Sequence, residues 1–138
     1  MNNNDPSQWK VLLVDDNEDN RWITAVLLRH YDAQVVEAAS GEEALTLLDR
    51  TMDFSFILLD IKMERVSGFT VLDEIRSDRR AEICSLPVIA ISALATPIER
   101  DFILTADFDG YISKPYDPHT LIETIAHFLV SSQARQCV

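Results

Sequence analysis

Residues 56–63 read FILLDIKM: four apolar side chains run straight into Asp60, and apolar residues resume beyond it. The run is too short for a helix of ordinary length and near-continuous in its apolar character. It suits a strand of a parallel sheet covered on both faces. Asp60 then stands at the carboxyl end of a buried strand, where an unpaired charge is costly. The reading predicts that something at that end offsets its charge.

The pattern recurs outward from this stretch. Lys10–Val14 (KVLLV), Gln34–Ala38 (QVVEA), residues 54–59 (FSFILL), residues 87–92 (PVIAIS) and the weaker Gly110–Ser113 (GYIS) read as five strands. Helical patterns alternate with them. Trp22, Ile23, Val26, Leu27 and His30 fall at helical spacing. Ser40 with Glu43 three residues on forms a capping box. A third helix follows Gly68, and a fourth covers about 97–104. Asp117 and Pro118 are an N-cap and a first-turn proline for the last helix, whose apolar stripe is Leu121, Ile122, Ile125, Phe128 and Leu129. Strand–helix alternation with short connections predicts an α/β fold, a doubly wound five-stranded parallel sheet with right-handed crossovers. The expected organisation is a flexible N-terminus over 1–9, one domain over 10–130 and a C-terminal tail over 131–138.

Composition limits the function. In 138 residues, 47% are hydrophobic and 25% charged, with a net charge of -11. That acidity disfavours direct contact with nucleic acid or anionic membranes. No apolar run reaches the length of a membrane span, and MNNNDPSQWK lacks the apolar centre of a signal peptide. Cys84 and Cys137 form no metal spacing or disulfide framework, so free thiols in a cytoplasmic protein are expected.

Polar residues collect at the predicted strand ends. Asp15 and Asp16 end the first strand, Asp60 the third, Ser92 the fourth, and Lys114 with Pro115 the fifth. In a parallel sheet these ends share one edge, where open α/β sheets bind ligands. Singly, each has a plain alternative: Asp15, Asp16 or Asn17 caps the first helix, Ser92 sits in a turn, Lys114 is a surface charge. Jointly they make one chemical device. Close carboxylates repel unless a hard divalent cation neutralises them. A lysine balances a phosphoryl group, a serine donates to its oxygens, and an aspartate can be the nucleophile.

The set VLLVDDNEDNR, ILLDIKM followed by Gly68, VIAISA and DGYISKP resembles the receiver domain of two-component response regulators over roughly residues 10–129. The resemblance implies the flavodoxin-like receiver fold and a phosphorelay function. Asp60 is then the phosphoacceptor, with Ser92 and Lys114 contacting the phosphoryl group. Mg2+, with Mn2+ as a substitute, is held by Asp16 and Asp60, by Asp15 through water and by the backbone carbonyl of Lys62. A cis bond precedes Pro115. Ser92 and Tyr111 form the switch, which reshapes the face of the fourth helix, fifth strand and last helix. The implied partners are a histidine kinase or histidine phosphotransfer protein and an unknown downstream protein. The implied catalysis is limited to the protein's own phosphorylation and dephosphorylation.

The chain departs from the family pattern in places. Glu64 stands where proline usually follows the methionine, and Asp32 and Asp107 stand where glycine often ends a helix. Lys62 and Leu94 occupy positions that tune dephosphorylation, and Leu94 offers no group to orient water, so a long-lived phosphate is expected. The last helix lacks Lys and Arg, which disfavours the salt-bridged dimer of one regulator subfamily. Three other readings compete: a phosphate-independent pseudo-receiver module, a receiver excised from a hybrid kinase, and a D-x-D phosphohydrolase. The last needs a second acid at position 62, which is lysine.

Overall fold

The structure is a computed structural model that describes residues 5–51, 53–93 and 96–131. Five parallel strands form one sheet: β1 (Lys10–Val14), β2 (Gln34–Ala38), β3 (Phe56–Asp60), β4 (Val88–Ser92) and β5 (Gly110–Ser113), in the order β2-β1-β3-β4-β5. The helices are α1 (Glu18–His30), α2 (Gly41–Arg50), α3 (Gly68–Arg76), α4 (Ala81–Cys84), α5 (Pro97–Thr105) and α6 (Pro118–Ser131). The sequence reading placed all of these except α4, a single turn before β4 too short to carry a periodic pattern. None of the described helices is long and apolar enough to cross a membrane.

The central strands β3 and β4 are buried at every position. Their side chains alternate between two apolar layers. Val11, Leu13, Phe56, Leu58, Ile89 and Ile91 pack toward α1 and α6. Leu12, Val14, Ile57, Leu59 and Val88 pack toward α2 and α3. A covered sheet explains why the strand runs are apolar without a break.

The helix ends follow their local chemistry. Ser40 Oγ accepts from the Glu43 N–H, and Glu43 reaches back to the Ala39 N–H, one residue before the position a capping box uses. Asp117 Oδ1 accepts from the His119 N–H at the start of α6. On α1 the apolar residues at helical spacing do not mark the buried face. Thr24, Ala25 and Leu28 are buried, whereas Trp22, Ile23 and Val26 are 62%, 53% and 44% exposed. Small residues bring this helix close to the sheet, and the larger apolar set at equal spacing points outward.

Three further expectations change. Residues 5–9, assigned to a loose N-terminus, contain a 3-10 turn at Pro6–Gln8 capped by Asp5. Trp9 is 2% exposed and packs edge-on against Phe56 at 5.3 Å. Asp32 adopts the left-handed geometry expected of it, with φ 70°, but Asp107 does not; among the described residues Arg65 also has this geometry, at φ 68°. Cys84 is disulfide-bonded, which corrects the expectation of free thiols, and Cys137 lies outside the described residues.

Candidate functional site

The register of the sheet sets its carboxyl ends side by side. Val14 pairs with Leu59, Asp60 with Ile91, and Ser92 with Ser113. One edge therefore carries Asp15, Asp16, Asp60, Ser92 and Lys114, as the strand-end positions predict. Carboxylate oxygens of Asp15, Asp16 and Asp60 all lie within 4.8 Å of one another. The helix cap falls to Asn17, whose Oδ1 accepts from the Asn20 N–H at 2.9 Å, so neither Asp15 nor Asp16 serves as the cap.

Each acid has its own setting. Asp15 is 2% exposed. Its Oδ1 accepts from the Asn17 N–H at 2.9 Å, and its Oδ2 faces Lys114 Nζ at 3.1 Å. Asp60 is 6% exposed; its Oδ1 accepts from the Lys62 N–H at 3.2 Å, and its Oδ2 lies 3.5 Å from Lys114 Nζ. Burial pushes the Asp60 carboxyl up to about 6, against the opposing pull of Lys114 and with a further push from Asp15. Asp16 is more open, and its Oδ2 accepts from the Glu64 N–H at 2.8 Å.

Gly68 keeps the site compact. A Cβ there would lie 2.7 Å from Asp60 O and 2.8 Å from Ile61 Cα, so the start of α3 can press against the end of β3 only without a side chain. The glycine noted in the sequence is thus required by close approach.

Ser92 is fully buried, and its Oγ has no hydrogen-bond partner among the described residues. Tyr111 is half-buried beside Ile61, Ala90 and Ile103, and its hydroxyl lies 3.4 Å from Ser92 O. Burial raises its phenol above the usual range. The Lys114–Pro115 bond is cis. Lys62 turns its side chain outward to Glu99 on α5, at 3.2 Å. Leu94 lies outside the described residues.

Sequence reasoning missed several supports. Arg21 Nη1 donates to Asp15 O at 2.8 Å while its Nε reaches Glu37 on β2 at 3.2 Å. The hydroxyls of Thr24 and Tyr116 meet at 2.8 Å, tying α1 to the loop after β5. The Arg21–Glu37 and Thr24–Tyr116 pairs are 16 and 92 residues apart, and no local pattern announces them. Arg21 did lie inside the quoted DDNEDNR segment, without a role.

Among the described residues, three carboxylates meet the one ammonium of Lys114, which leaves the site short of positive charge. The donors are all oxygen, which suits a hard divalent cation such as Mg2+. The Ser92 hydroxyl, without a partner among the described residues and at the end of the adjacent strand, suits an oxygen-rich group.

Comparisons with known proteins agree. An uncharacterized 14.6 kDa protein of Leptolyngbya boryana is 31% identical over 125 residues, covering 91% of this chain and 93% of that protein. Histidine kinase 3 of Arabidopsis thaliana is 31% identical over 141 residues, 88% of this chain, which spans only 14% of the kinase. The receiver domain of a Pseudomonas aeruginosa sensor histidine kinase, solved with magnesium coordinated in its active-site cleft, is 26% identical with a TM-score of 0.78, covering 88% of this chain and 98% of that one. Because the family match runs over residues 11–126, from the first strand into the last helix, the chain belongs to the response regulator receiver domain family.

Proposed function

We propose that Asp60 accepts a phosphoryl group from the phosphohistidine of a histidine kinase or histidine phosphotransfer protein, and that the modified domain alters its binding to a downstream protein. The observation that carries this reading is the Ser92 hydroxyl, buried and without a partner among the described residues, at the end of the strand beside Asp60. An unsatisfied buried hydroxyl costs about 1–3 kcal/mol. A phosphoryl oxygen at Asp60 gives it an acceptor.

An Asp60 carboxylate oxygen attacks phosphorus, and the P–N bond breaks as the O–P bond forms. The electron pair leaves with the imidazole. In the discharge to water, water attacks phosphorus, the O–P bond to Asp60 breaks with its pair returning to the carboxylate, and the water protons leave with the inorganic phosphate. Lys114 lies between Asp15 and Asp60, and its ammonium balances the added charge, about -1.5 to -2. Asp16, Asp60 and the Lys62 carbonyl would hold Mg2+, or Mn2+ in its place. Both oxygens of Asp15 are already engaged, which favours its acting through water. Mg2+, when bound, neutralises the phosphoryl oxygens.

For the switch, Ser92 turns toward the phosphoryl group and Tyr111 packs further into the space beside it, reshaping the face of α5, β5 and α6. The cleft of about 300 Å³ lined by Ser92, Phe69, Phe102 and Ile103 supports this with room for movement. A phosphate-independent module needs none of these groups together, and the convergence of all three acids and Lys114 speaks against it.

Intact mass after incubation with acetyl phosphate and Mg2+ tests the reading. One labile phosphoryl adduct in wild type, absent in Asp60→Asn, is the expected result. A wild type that takes no phosphoryl group from acetyl phosphate or from a phosphohistidine donor would refute it.

A further inference from the structure

The loop between β3 and α3 is folded tightly. The Met63 N–H donates to Ile61 O and the Val66 N–H to Glu64 O, each closing a three-residue turn. Arg65, at the centre of the second turn, has φ 68°, the strained hand for a side chain of its size. Such conformations cost about 1–3 kcal/mol and persist where surrounding structure holds them. Gly68 closes the loop by donating its N–H to Ile61 O at 3.0 Å.

From this folded loop the Glu64 N–H points at Asp16 Oδ2, 2.8 Å away across 48 residues of sequence. Whereas Lys114 Nζ lies 3.1 Å from Asp15 and 3.5 Å from Asp60, Asp16 has no other hydrogen-bond donor or ion-pair partner among the described residues. Its side chain is also the most open of the three, so solvent alone would not fix its rotamer. The donor exists only because residue 64 is not proline.

We propose that Glu64 is a positioning residue for Asp16, its backbone N–H fixing the carboxylate so that the second oxygen is preset toward a divalent cation. This rests on the metal reading given above. Hydrogen bonds to ligating carboxylates set ligand orientation, and their loss typically lowers metal affinity about 10–100-fold. The Glu64 side chain is not the agent. Its charge adds to the local field and is separable from the amide.

The test is a Mg2+ titration followed by amide shifts in 1H–15N NMR, on wild type, Glu64→Gln and Glu64→Pro. Glu64→Gln keeps the N–H and loses the charge; Glu64→Pro loses both, at a residue whose φ is not positive. The expected result is Glu64→Pro binding about ten-fold more weakly than Glu64→Gln, with Glu64→Gln near wild type. Equal affinities for the two variants, with wild type binding normally, overturn this inference alone. A wild type with no Mg2+ response overturns the metal reading and the inference with it. Should the proline variant fold poorly, the metal-free Glu64 amide itself is read in wild type and Asp16→Ala. Loss of Asp16 is expected to shift that resonance upfield and speed its exchange about ten-fold; an unchanged resonance and rate overturn the proposal.

Discussion

Lys114 Nζ lies 3.1 Å from Asp15 Oδ2, closer than the 3.5 Å that separates it from Asp60. One ammonium is shared by two buried carboxylates, and Asp15 is the deeper of them. Replacing Lys114 with methionine strands Asp15 without its cation. Breaking a buried pair costs about 3–5 kcal/mol, and a loss near the lower end is expected because Lys114 retains 18% exposure. Denaturant unfolding at pH 7 measures it; a loss under about 1 kcal/mol, the scale of an exposed pair, would show that the pair contributes little.

Asp60 titrates near 6 in the folded, metal-free protein, above its usual 3.8, because burial disfavours its charge. The folded state therefore binds more protons than the unfolded state between about pH 4 and 6, and stability falls as pH rises through that window. Above about pH 6 the penalty is fully present. Asp60→Asn removes it, with an expected gain of about 1–3 kcal/mol at pH 7, and flattens this part of the profile. Urea unfolding from pH 4 to 7.5 in EDTA checks both; identical slopes for the two proteins would contradict the assignment.

Gly68→Ala places a Cβ against Asp60 O and Ile61 Cα, both backbone atoms that cannot swing aside. The start of α3 must move, at a cost of about 1–3 kcal/mol. The displaced β3–α3 loop also weakens Mg2+ binding. A variant with wild-type melting temperature and wild-type affinity would show that the loop yields freely.

Asp32→Gly relieves a left-handed aspartate and is expected to raise stability by about 0.5–1 kcal/mol. Asp107→Gly has no such strain to relieve and loses a carboxylate 3.5 Å from Arg76, so it is expected to be destabilising. Thermal melts of the pair settle the contrast, and equal gains in both would show that the backbone assignment is wrong.

Thr24→Val and Tyr116→Phe, separate and combined, form a double-mutant cycle across the 2.8 Å hydroxyl contact. A coupling of about 0.5–1.5 kcal/mol is expected for a part-buried neutral hydrogen bond. Additive effects within error would show that each hydroxyl is satisfied by water.

The sequence by itself determined the strands, the caps of α2 and α6 and the positions of the acids. These are local properties: apolar runs, capping residues and charges placed where runs stop. Parallel pairing then makes every strand end fall on one edge, so the order of residues alone is enough to assign Asp15, Asp16, Asp60, Ser92 and Lys114 to a common site. The tertiary structure alone decided which face of α1 is buried, because Trp22, Ile23 and Val26 repeat with the same helical period as Thr24, Ala25 and Leu28, and periodicity does not say which set meets the sheet. It also decided the contacts that hold the site: Arg21 on Asp15, Thr24 on Tyr116 and the Glu64 N–H on Asp16. Arg65 takes a left-handed turn within a loop that the Gly68 N–H closes on Ile61 O. Such contacts depend on where distant segments meet, and no local pattern in the chain encodes that distance.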